Sequence, residues 1–323
     1  MNNHHVIVSY RVEEKERSIY NDILDSRVKI TFLKDYEEQE RSSLIQQSDI
    51  LLAWNPPREL QSVAKVSFKN LKFVQLLSAG YDHLNFDMYS NECIIACNQG
   101  AYAEPMAEHT VAMILALEKL LLVNHKKMAA GEFDQKTNTR SLKGKICGII
   151  GFGSIGKAAA NLLKGFGVKI FAVNSSGYTD ENVDFIGKLN DLNYVLQESD
   201  ILIVSIPLNE ITSGLIGKKE LGLMKDDAVI INVARGAIIQ EEALYEQLKA
   251  HPNFMAGIDA WWREPFNYGE FKLSYPFFEL PNVLGSPHNS AIIPGALIEG
   301  QRKAIENISI YLEGKPVKGI IKR

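Results

Sequence analysis

Cysteine is scarce in this sequence, and several signals that define whole classes of protein are missing. Only 3 of the 323 residues are cysteines, at positions 93, 97 and 147, and each lies in an apolar run. A small, odd number of thiols argues against a disulfide framework and is typical of a reducing compartment. We therefore expect a cytoplasmic protein. The 7 histidines show no metal-ligand spacing, so no metal site is predicted.

Charge and hydropathy argue against two further classes. The formal net charge is −4, which gives no support for binding to nucleic acid or to an anionic membrane. No apolar run is long enough to span a bilayer, and the first residues lack the basic-then-apolar pattern of a signal peptide. With 46% hydrophobic and 23% charged residues the composition is that of an ordinary soluble globular protein. The length favours two domains.

The most informative stretch runs from residue 145 to residue 163. Its apolar start predicts a short buried strand, and its alanine-rich end predicts a helix. Between them, glycines at 151, 153 and 156 have the spacing G-x-G-x-x-G, which in a dinucleotide-binding fold permits the tight turn, the approach of a pyrophosphate and close helix–strand packing. A glycine turn without a ligand is the alternative, but the strand–turn–helix context favours binding. The residues predicted to bind the cofactor here are Gly151, Phe152, Gly153, Ser154, Ile155 and Gly156.

Strand-like and helix-like segments alternate along the chain. The first hundred residues predict five strands, and the residues after 144 predict six. Such alternation indicates parallel sheets covered by helices. An apolar segment from about residue 104 to about residue 128 predicts one long buried helix, in which Glu108 and His109 are interpreted as structural. Residues 292–312 predict a final helix.

Polar residues follow several of the predicted strands. Arg235, Asp259 and His288 each lie just beyond the end of a strand in the second half, and a doubly wound sheet brings such ends together at one edge. A positioned cation and a proton donor would stabilise the charge that builds on a carbonyl oxygen during hydride transfer. Residues 78–80 follow a strand in the first half, where successive backbone N–H groups can hold an anion. The residues alone favour ordinary turn chemistry there.

The choice of cofactor depends on the end of the strand that follows the glycine stretch. In NAD-specific sites an acidic residue there binds the ribose hydroxyls, whereas this chain has Asn174 followed by Ser175. A neutral asparagine can hydrogen-bond a ribose but does not repel a 2′-phosphate, and no arginine stands beside it to attract one. The sequence therefore leaves the cofactor open as NAD or NADP, with NAD slightly favoured.

Several motifs, in the right order, resemble those of one family. They are residues 78–83, 98–110, 145–156, 232–237, 259–265 and 286–288. With them the chain resembles the D-isomer-specific 2-hydroxyacid dehydrogenases from about residue 71 onward, while the first seventy residues match mainly in layout. The resemblance implies an α/β fold of two Rossmann/flavodoxin-like domains with parallel sheets. A dinucleotide-binding domain, residues 103–290, would be inserted into a substrate domain, residues 1–102 plus 291–323. A homodimer is also expected, with the long helix as its contact.

The resemblance also implies roles for single residues. Arg235 would bind the substrate carboxylate and orient the carbonyl. His288 would be the general acid in reduction and the base in oxidation, and Glu264 would hydrogen-bond His288 and favour its protonated form. Asp259 would contact the nicotinamide carboxamide. The substrate carboxylate would be held by the backbone of Ser78, Ala79 and Gly80. Further residues expected at the cofactor are Thr110, Ser205, Pro207, Thr212, Val233 and Ala234.

The implied activity is hydride transfer between NAD(P)H and a small 2-oxo acid, such as glyoxylate, hydroxypyruvate or pyruvate, with the D-2-hydroxy acid as product. The alternative is an NAD(H)-binding redox sensor, like the corepressors that resemble this family, with little turnover; the lack of basic or disordered extensions argues against it. Formate dehydrogenases of this fold have glutamine in the place of Glu264, so formate is disfavoured. Trp261 and Trp262 depart from the family pattern, and packing is favoured over a role in the pocket.

Overall fold

The computed structural model describes residues 4–26, 28–61 and 68–322. Within these ranges the strands are β1 (His5–Val8), β2 (Lys29–Phe32), β3 (Ile50–Ala53), β4 (Phe73–Leu76), β5 (Ile94–Ala96), β6 (Ile146–Ile150), β7 (Lys169–Val173), β8 (Phe185–Gly187), β9 (Ile201–Val204), β10 (Val229–Asn232), β11 (Met255–Ile258) and β12 (Val283–Gly285). The α-helices are α1 (Ser18–Ile23), α2 (Glu38–Gln46), α3 (Pro56–Glu59), α4 (Ala103–Glu118), α5 (Leu121–Ala129), α6 (Ser154–Lys164), α7 (Leu192–Glu198), α8 (Lys218–Leu221), α9 (Glu241–Ala250), α10 (Pro265–Tyr268) and α11 (Ala296–Leu312).

The chain divides into two units. Met1–Tyr102 and Ile293–Arg323 form the first, and Ala103–Ile292 forms the second. The first unit contains a five-stranded parallel sheet in the order β2-β1-β3-β4-β5. Every residue of β1, β3 and β4 is buried, because apolar side chains on both faces of the sheet pack under helices. This strand order is that of flavodoxin-like folds.

The second unit contains a seven-stranded parallel sheet in the order β12-β11-β10-β9-β6-β7-β8. The order reverses between β6 and β9, and ligands of such sheets bind at this switch point, beyond the carboxyl ends of the strands. The prediction of two α/β domains with parallel sheets is confirmed. The six strands predicted here omitted β8, a three-residue strand at the sheet edge of which only Gly187 is buried, so no buried apolar run marks it in the sequence.

The prediction of one long buried helix from residue 104 to 128 is wrong. Helix α4 ends at Glu118 and α5 begins at Leu121, because Leu120 adopts the left-handed conformation with φ of 51°. Helix α4 packs into the core with Ala107 and Ile114 fully buried. Leu121 is 56% exposed, so the expected burial holds for α4 and not for α5.

The final helix begins later than predicted, at Ala296 instead of residue 292. Gly295 precedes it with φ of 80°, and a residue in that conformation cannot belong to the helix. Ala304, Ile305 and Ile308 of α11 are fully buried and belong to the apolar cluster on one face of the five-stranded sheet. The C-terminal segment thereby completes the core of the first unit.

Two features are absent from the described residues, a membrane-spanning helix and a metal-binding cluster. No helix there combines the length and the apolar character required to cross a membrane. No group of three or more histidine, cysteine, aspartate or glutamate side chains there is placed to hold a metal ion.

Candidate active site

The glycine turn lies at the switch point of the second sheet. Gly151 follows β6 with φ of 97°, a conformation that residues with a side chain rarely adopt. A Cβ atom added there would lie 2.6 Å from the carbonyl oxygen of Ser205, just after β9. A Cβ atom on Gly156, in the first turn of α6, would lie 2.5 Å from the carbonyl oxygen of Gly151. The packing of strand, turn and helix therefore requires glycine at both positions.

Gly153 is glycine for a different reason. It is exposed, and a Cβ atom added there would meet no other atom within 4 Å. It is the N-cap residue of α6 and supplies no side-chain cap, so the first N–H groups of this helix are available to an anion. Open space in front of an uncapped helix N-terminus fits the pyrophosphate of a dinucleotide.

The loop after β7 uses Asn174 to hold its own backbone. The carboxamide oxygen accepts hydrogen bonds from the N–H groups of Ser176 (3.1 Å) and Gly177 (2.7 Å). The Asn174 Nδ2 donates to the carbonyl oxygen of Tyr178 at 2.9 Å. The oxygen that stands in the place of an NAD-binding carboxylate is thus already occupied within the loop. Ser175 beside it is exposed.

Two hydroxyls predicted near the cofactor shape the turns after β6 and β9. The Ser205 hydroxyl donates to the carbonyl oxygen of Gly151 at 2.9 Å. The Thr212 hydroxyl donates to the carbonyl oxygen of Pro207 at 2.7 Å and accepts from the N–H of Asn209 at 2.8 Å. Both side chains therefore stabilise loops at the carboxyl edge of the sheet. A direct contact of either with the cofactor stays a prediction.

The other residues predicted at the cofactor are buried. Thr110 has no exposed surface, and its hydroxyl donates to the carbonyl oxygen of Met106 in α4 at 2.7 Å. Phe152, Val233 and Ala234 are each less than 9% exposed. Phe152 and Val233 belong to one apolar core cluster of the second unit, and Ala234 belongs to another. Their contact with the cofactor also stays a prediction.

Arg235 follows β10 on a turn that Asn232 fixes. The Asn232 Nδ2 donates to the carbonyl oxygen of Arg235 at 3.0 Å, and its Oδ1 accepts from the N–H of Ala234 at 3.0 Å. The half-buried Arg235 donates from Nη1 to the carbonyl oxygen of Ala234 at 2.8 Å. Gly236 lies so close to the backbone of Trp261 that any Cβ atom would overlap it. The arginine is therefore adjacent to the segment that follows β11.

His288 and Glu264 form a hydrogen-bonded pair. The His288 Nδ1 lies 2.7 Å from Oε2 of Glu264, and the two side chains are 34% and 13% exposed. The other carboxylate oxygen, Oε1, accepts from the N–H of Trp261 at 2.6 Å. A carboxylate beside Nδ1 requires the proton on that nitrogen, which leaves Nε2 to exchange a proton with a ligand. The hydrogen bond expected between these two residues is present.

The backbone of His288 is strained. Its φ is 51°, in the left-handed region that a histidine occupies at a cost of roughly 1 kcal/mol or more. The backbone N–H of His288 donates to the carbonyl oxygen of Asp259 at 3.0 Å, and the bond to Glu264 holds the ring. A strained conformation that is held from two sides indicates a functional constraint on this residue.

Asp259 anchors the loop that carries His288. It has no exposed surface. Its Oδ1 accepts from the Ser286 hydroxyl (2.6 Å) and from the N–H of Asn289 (3.1 Å), and its Oδ2 accepts from the N–H of Ser290 (3.2 Å). Burial alone would raise the pKa of this carboxyl. The hydrogen bonds from Ser286 and Ser290, together with the charges of neighbouring histidines, hold the pKa of Asp259 below its usual range.

Trp261 links the site segments and packs in the core, as the sequence favoured. It is 6% exposed and contacts the rings of Phe271, Phe277 and Phe278. Its indole Nε1 donates to the carbonyl oxygen of Ser286 at 2.8 Å. Trp261 thus contacts the loop that carries His288 through its side chain, and the carboxylate of Glu264 through its backbone N–H. Trp262 donates separately from its indole to a carbonyl oxygen near α9.

Two residues of this network were not predicted to take part. His109 of α4 has its Nε2 2.9 Å from the hydroxyl oxygen of Ser286. Because that hydroxyl donates to Asp259, it accepts from His109, so Nε2 of His109 carries a proton. The two residues are 177 positions apart, and no spacing rule connects them. The sequence feature that could have indicated their involvement is that both residues lie in motifs that carry the family resemblance.

Residues 78–80 belong to the first unit and follow β4. They are half-buried. The Ser78 hydroxyl donates to the carbonyl oxygen of Gly80 at 2.7 Å, which closes the turn. Among the hydrogen bonds of the described residues, none uses the backbone N–H groups of Ser78, Ala79 or Gly80 as donors. Three such groups in succession can bind a carboxylate.

Comparison with known proteins gives consistent results. Residues 111–290 match the family model described as D-isomer specific 2-hydroxyacid dehydrogenase, NAD binding domain. The chain is 30% identical over 270 residues to a hydroxypyruvate reductase of Thermotoga maritima, covering 83% of this chain and 84% of the relative. It is 32% identical over 228 residues to a glyoxylate reductase of Thermococcus litoralis, covering 68% and 67%.

A solved structure agrees on the fold. The D-isomer specific 2-hydroxyacid dehydrogenase family protein from Aeromonas salmonicida superposes with a TM-score of 0.80 over 99% of each chain, at 24% identity. At that identity the similarity supports the fold alone. The two sequence relatives support more, because they match most of this chain at 30% identity or above.

Proposed function

This chain belongs to the D-isomer specific 2-hydroxyacid dehydrogenase family, and on that premise we propose that it reduces a small 2-oxo acid to the D-2-hydroxy acid. The observation that carries the proposal is the hydrogen bond between His288 and Glu264, on segments fixed next to Arg235. The relatives named hydroxypyruvate reductase and glyoxylate reductase support a substrate of two or three carbons. Glyoxylate, hydroxypyruvate and pyruvate are the candidates.

The side chains divide the work as follows. Arg235 binds the substrate carboxylate and holds the carbonyl group next to the proton donor. His288 gives the proton on Nε2 to the carbonyl oxygen as that oxygen becomes negative, and takes it back in the oxidation direction. Glu264 fixes the ring of His288 through Nδ1 and stabilises the imidazolium. The backbone N–H groups of Ser78, Ala79 and Gly80 are further groups that we propose to bind a substrate carboxylate.

The cofactor site follows from the second sheet. The glycine turn and the first N–H groups of α6 hold the pyrophosphate, and the loop at Asn174 holds the adenosine ribose. Thr110, Ser205, Pro207, Thr212, Val233 and Ala234 line the remaining path, with Asp259 at the carboxamide. The bound dinucleotide, NAD or NADP, supplies the hydride.

The proposal is tested with two variants and two matched controls. Arg235→Ala and His288→Ala should each lower kcat/KM about 10²-fold or more, while NADH and NADPH still quench the tryptophan fluorescence of the protein. Arg263→Ala and His251→Ala remove an arginine and a histidine that form ion pairs with the surface carboxylates of Glu270 and Asp226, and should leave turnover unchanged. Unaltered turnover in either of the first two variants contradicts the proposal.

The redox-sensor alternative is less well supported. The two relatives described above are named as reductases, and the hydrogen-bonded pair of His288 and Glu264 lies within the second unit. A sensor would bind NADH tightly and turn over slowly with every 2-oxo acid. The kinetic comparison of wild type with the His288→Ala variant separates the two, because a sensor would lose nothing with that substitution.

A homodimer is part of the proposal. The break between α4 and α5 leaves Leu121 and Leu122 56% and 39% exposed, beside an apolar groove lined by Ala116, Val123 and Pro281. Exposed leucines next to such a groove are typical of a protein interface. Leu121→Asp should convert a dimer into a monomer in light scattering after size exclusion. A wild-type monomer contradicts this part of the proposal. The three cysteines are buried and form no disulfide with one another, which supports the cytoplasmic localisation expected from the sequence.

A further inference from the structure

The loop after β7 lacks what an NAD-specific site requires. In a dinucleotide fold this loop lies at the adenosine ribose, and a carboxylate there binds the two ribose hydroxyls. Asn174 provides no carboxylate, and its carboxamide oxygen accepts the N–H groups of Ser176 and Gly177. The side chain therefore stabilises the loop and leaves no acceptor oxygen for the hydroxyls. The hydroxyl of Ser175 and the loop backbone remain exposed at this position.

A lysine from the neighbouring strand lies along the same loop. Lys188 directly follows β8, and its side chain runs beside Gly177: a Cβ atom on that glycine would lie 2.9 Å from Cγ and 3.2 Å from Cε of Lys188. The position is fixed because the backbone N–H of Lys188 donates to Asp191 at 2.8 Å. Within the described residues, no ion pair or hydrogen bond involves the Lys188 ammonium group.

The acidic residues of this region have other partners. Asp180 and Glu181 lie 2.6 Å and 3.8 Å from the ammonium group of Lys157. Asp184 accepts the backbone N–H of Ile170 at 2.8 Å. These contacts leave Lys188 as a cation beside a loop that presents the exposed hydroxyl of Ser175 as a donor. Such a set of donors suits a phosphate dianion and not a pair of ribose hydroxyls.

We propose that Lys188 and the loop of residues 174–178, here called the ribose loop, bind the 2′-phosphate of NADP(H), so that the protein prefers NADPH to NADH. The inference reverses the slight preference for NAD that the sequence suggested. The missing arginine is replaced by a lysine that is 14 positions beyond Asn174 in the sequence and whose side chain lies beside Gly177 of the ribose loop. The inference rests on the proposed function, since it assumes that the dinucleotide lies across the glycine turn.

The test measures binding, so it does not depend on turnover. Each reduced cofactor is titrated into the full-length protein, and the dissociation constant is read from quenching of tryptophan fluorescence. Wild type should bind NADPH about tenfold or more tightly than NADH at low ionic strength, which is the size expected for one charge-assisted contact. The ratio should shrink as salt is added, because the contact is exposed to solvent.

Substitutions assign the preference to the lysine. Lys188→Gln keeps the length of the side chain and removes its charge, and should weaken NADPH about tenfold while changing NADH less than about threefold. Lys188→Arg should retain the preference. Asn174→Asp introduces a negative charge and should reverse it. The control is Lys164→Gln, which removes a lysine from the far end of α6, where its ammonium group donates to Oδ1 of Asn161 at 3.3 Å.

Two results overturn the inference. One is wild-type protein that binds NADH as tightly as NADPH, and the other is a Lys188→Gln variant with an unchanged ratio. Failure of the proposed function would give different results from these two. If the proposed function is wrong, either neither cofactor binds, or the cofactors bind and no 2-oxo acid is reduced.

Discussion

The three glycines of the turn after β6 can be separated by what an added methyl group would do. Gly156→Ala places a Cβ atom 2.5 Å from the carbonyl oxygen of Gly151, and Gly153→Ala places one with no neighbour within 4 Å. The first change must push α6 away from β6, since the atom in the way is backbone. The second disturbs only the space in which the pyrophosphate is proposed to lie. The two variants therefore test different properties of one motif.

Magnitudes follow from the type of contact. Overpacking of this kind costs about 1–3 kcal/mol, which for a unit of this size lowers the melting temperature by about 2–4 °C per kcal/mol. Gly153→Ala destabilises the protein because alanine is a poorer N-cap residue than glycine, and stabilises it because alanine reduces the conformational entropy of the unfolded chain. These two effects on the free energy of unfolding are about 0.5–1 kcal/mol each and nearly cancel. Its methyl group should weaken NADPH binding about tenfold or more, equivalent to about 1.4 kcal/mol.

The assay combines thermal unfolding without cofactor and fluorescence titration with NADPH. Gly156→Ala should melt several degrees below wild type, and Gly153→Ala should melt close to wild type but bind NADPH poorly. A Gly153→Ala variant with wild-type affinity would refute the placement of the pyrophosphate. A Gly156→Ala variant with wild-type melting would refute the packing argument.

Three further predictions concern single contacts. Trp261→Phe removes the indole donor to the carbonyl oxygen of Ser286 and should destabilise the protein by about 1–3 kcal/mol. It should also lower kcat by a larger factor than it raises KM. A kcat equal to that of wild type would contradict the positioning role of Trp261. Glu118 is fully buried between Lys145 and Arg140, so Glu118→Gln should cost about 3–5 kcal/mol in chemical denaturation, and a loss below 1 kcal/mol would count against it. Burial lowers the pKa of His5 from 6.5 in the folded state. As pH decreases below about 6.5, the unfolded state therefore binds a proton more readily than the folded state does, and the free energy of unfolding should fall. A His5→Gln variant whose stability depends on pH in the same way as wild type would contradict this.

The fold could be predicted from the sequence where apolar runs are long enough to bury a strand. The strands β3, β9 and β10 each have four residues, all buried, and an uninterrupted apolar run is the signal of a parallel sheet. The edge strand β8 gave no such signal. The break at Leu120 was also missed, because leucine favours helix and nothing local indicates a left-handed residue.

The site could be predicted in part. Arg235, Asp259 and His288 were found because residues beyond strand ends share one edge of a parallel sheet. The pairing of Glu264 with His288 came from the family resemblance, since a separation of 24 positions has no geometric meaning by itself. The contact of His109 with Ser286 and the position of Lys188 beside Gly177 required coordinates. Long-range neighbours of this kind depend on the packing of elements and not on local spacing.

The buried network around Asp259 has a further consequence for the site. The carboxylate holds the loop that begins at Ser286 and carries His288, so it stabilises the strained backbone of the proton donor. Its lowered pKa means that this stabilisation is complete above the ordinary pKa of an aspartate and is lost as pH falls through the lower value in the folded state. The geometry of the site should therefore persist throughout the pH range in which a histidine can act as acid or base.

The most direct measurement of the central claim is the chirality of the product. Purified protein is supplied with NADPH or NADH and with hydroxypyruvate or pyruvate, and the 2-hydroxy acid is resolved on a chiral column while cofactor oxidation is followed by absorbance. The account predicts oxidation of one reduced cofactor for each molecule of product, and product of the D configuration alone. An L product, or no turnover with any 2-oxo acid despite tight cofactor binding, would contradict it.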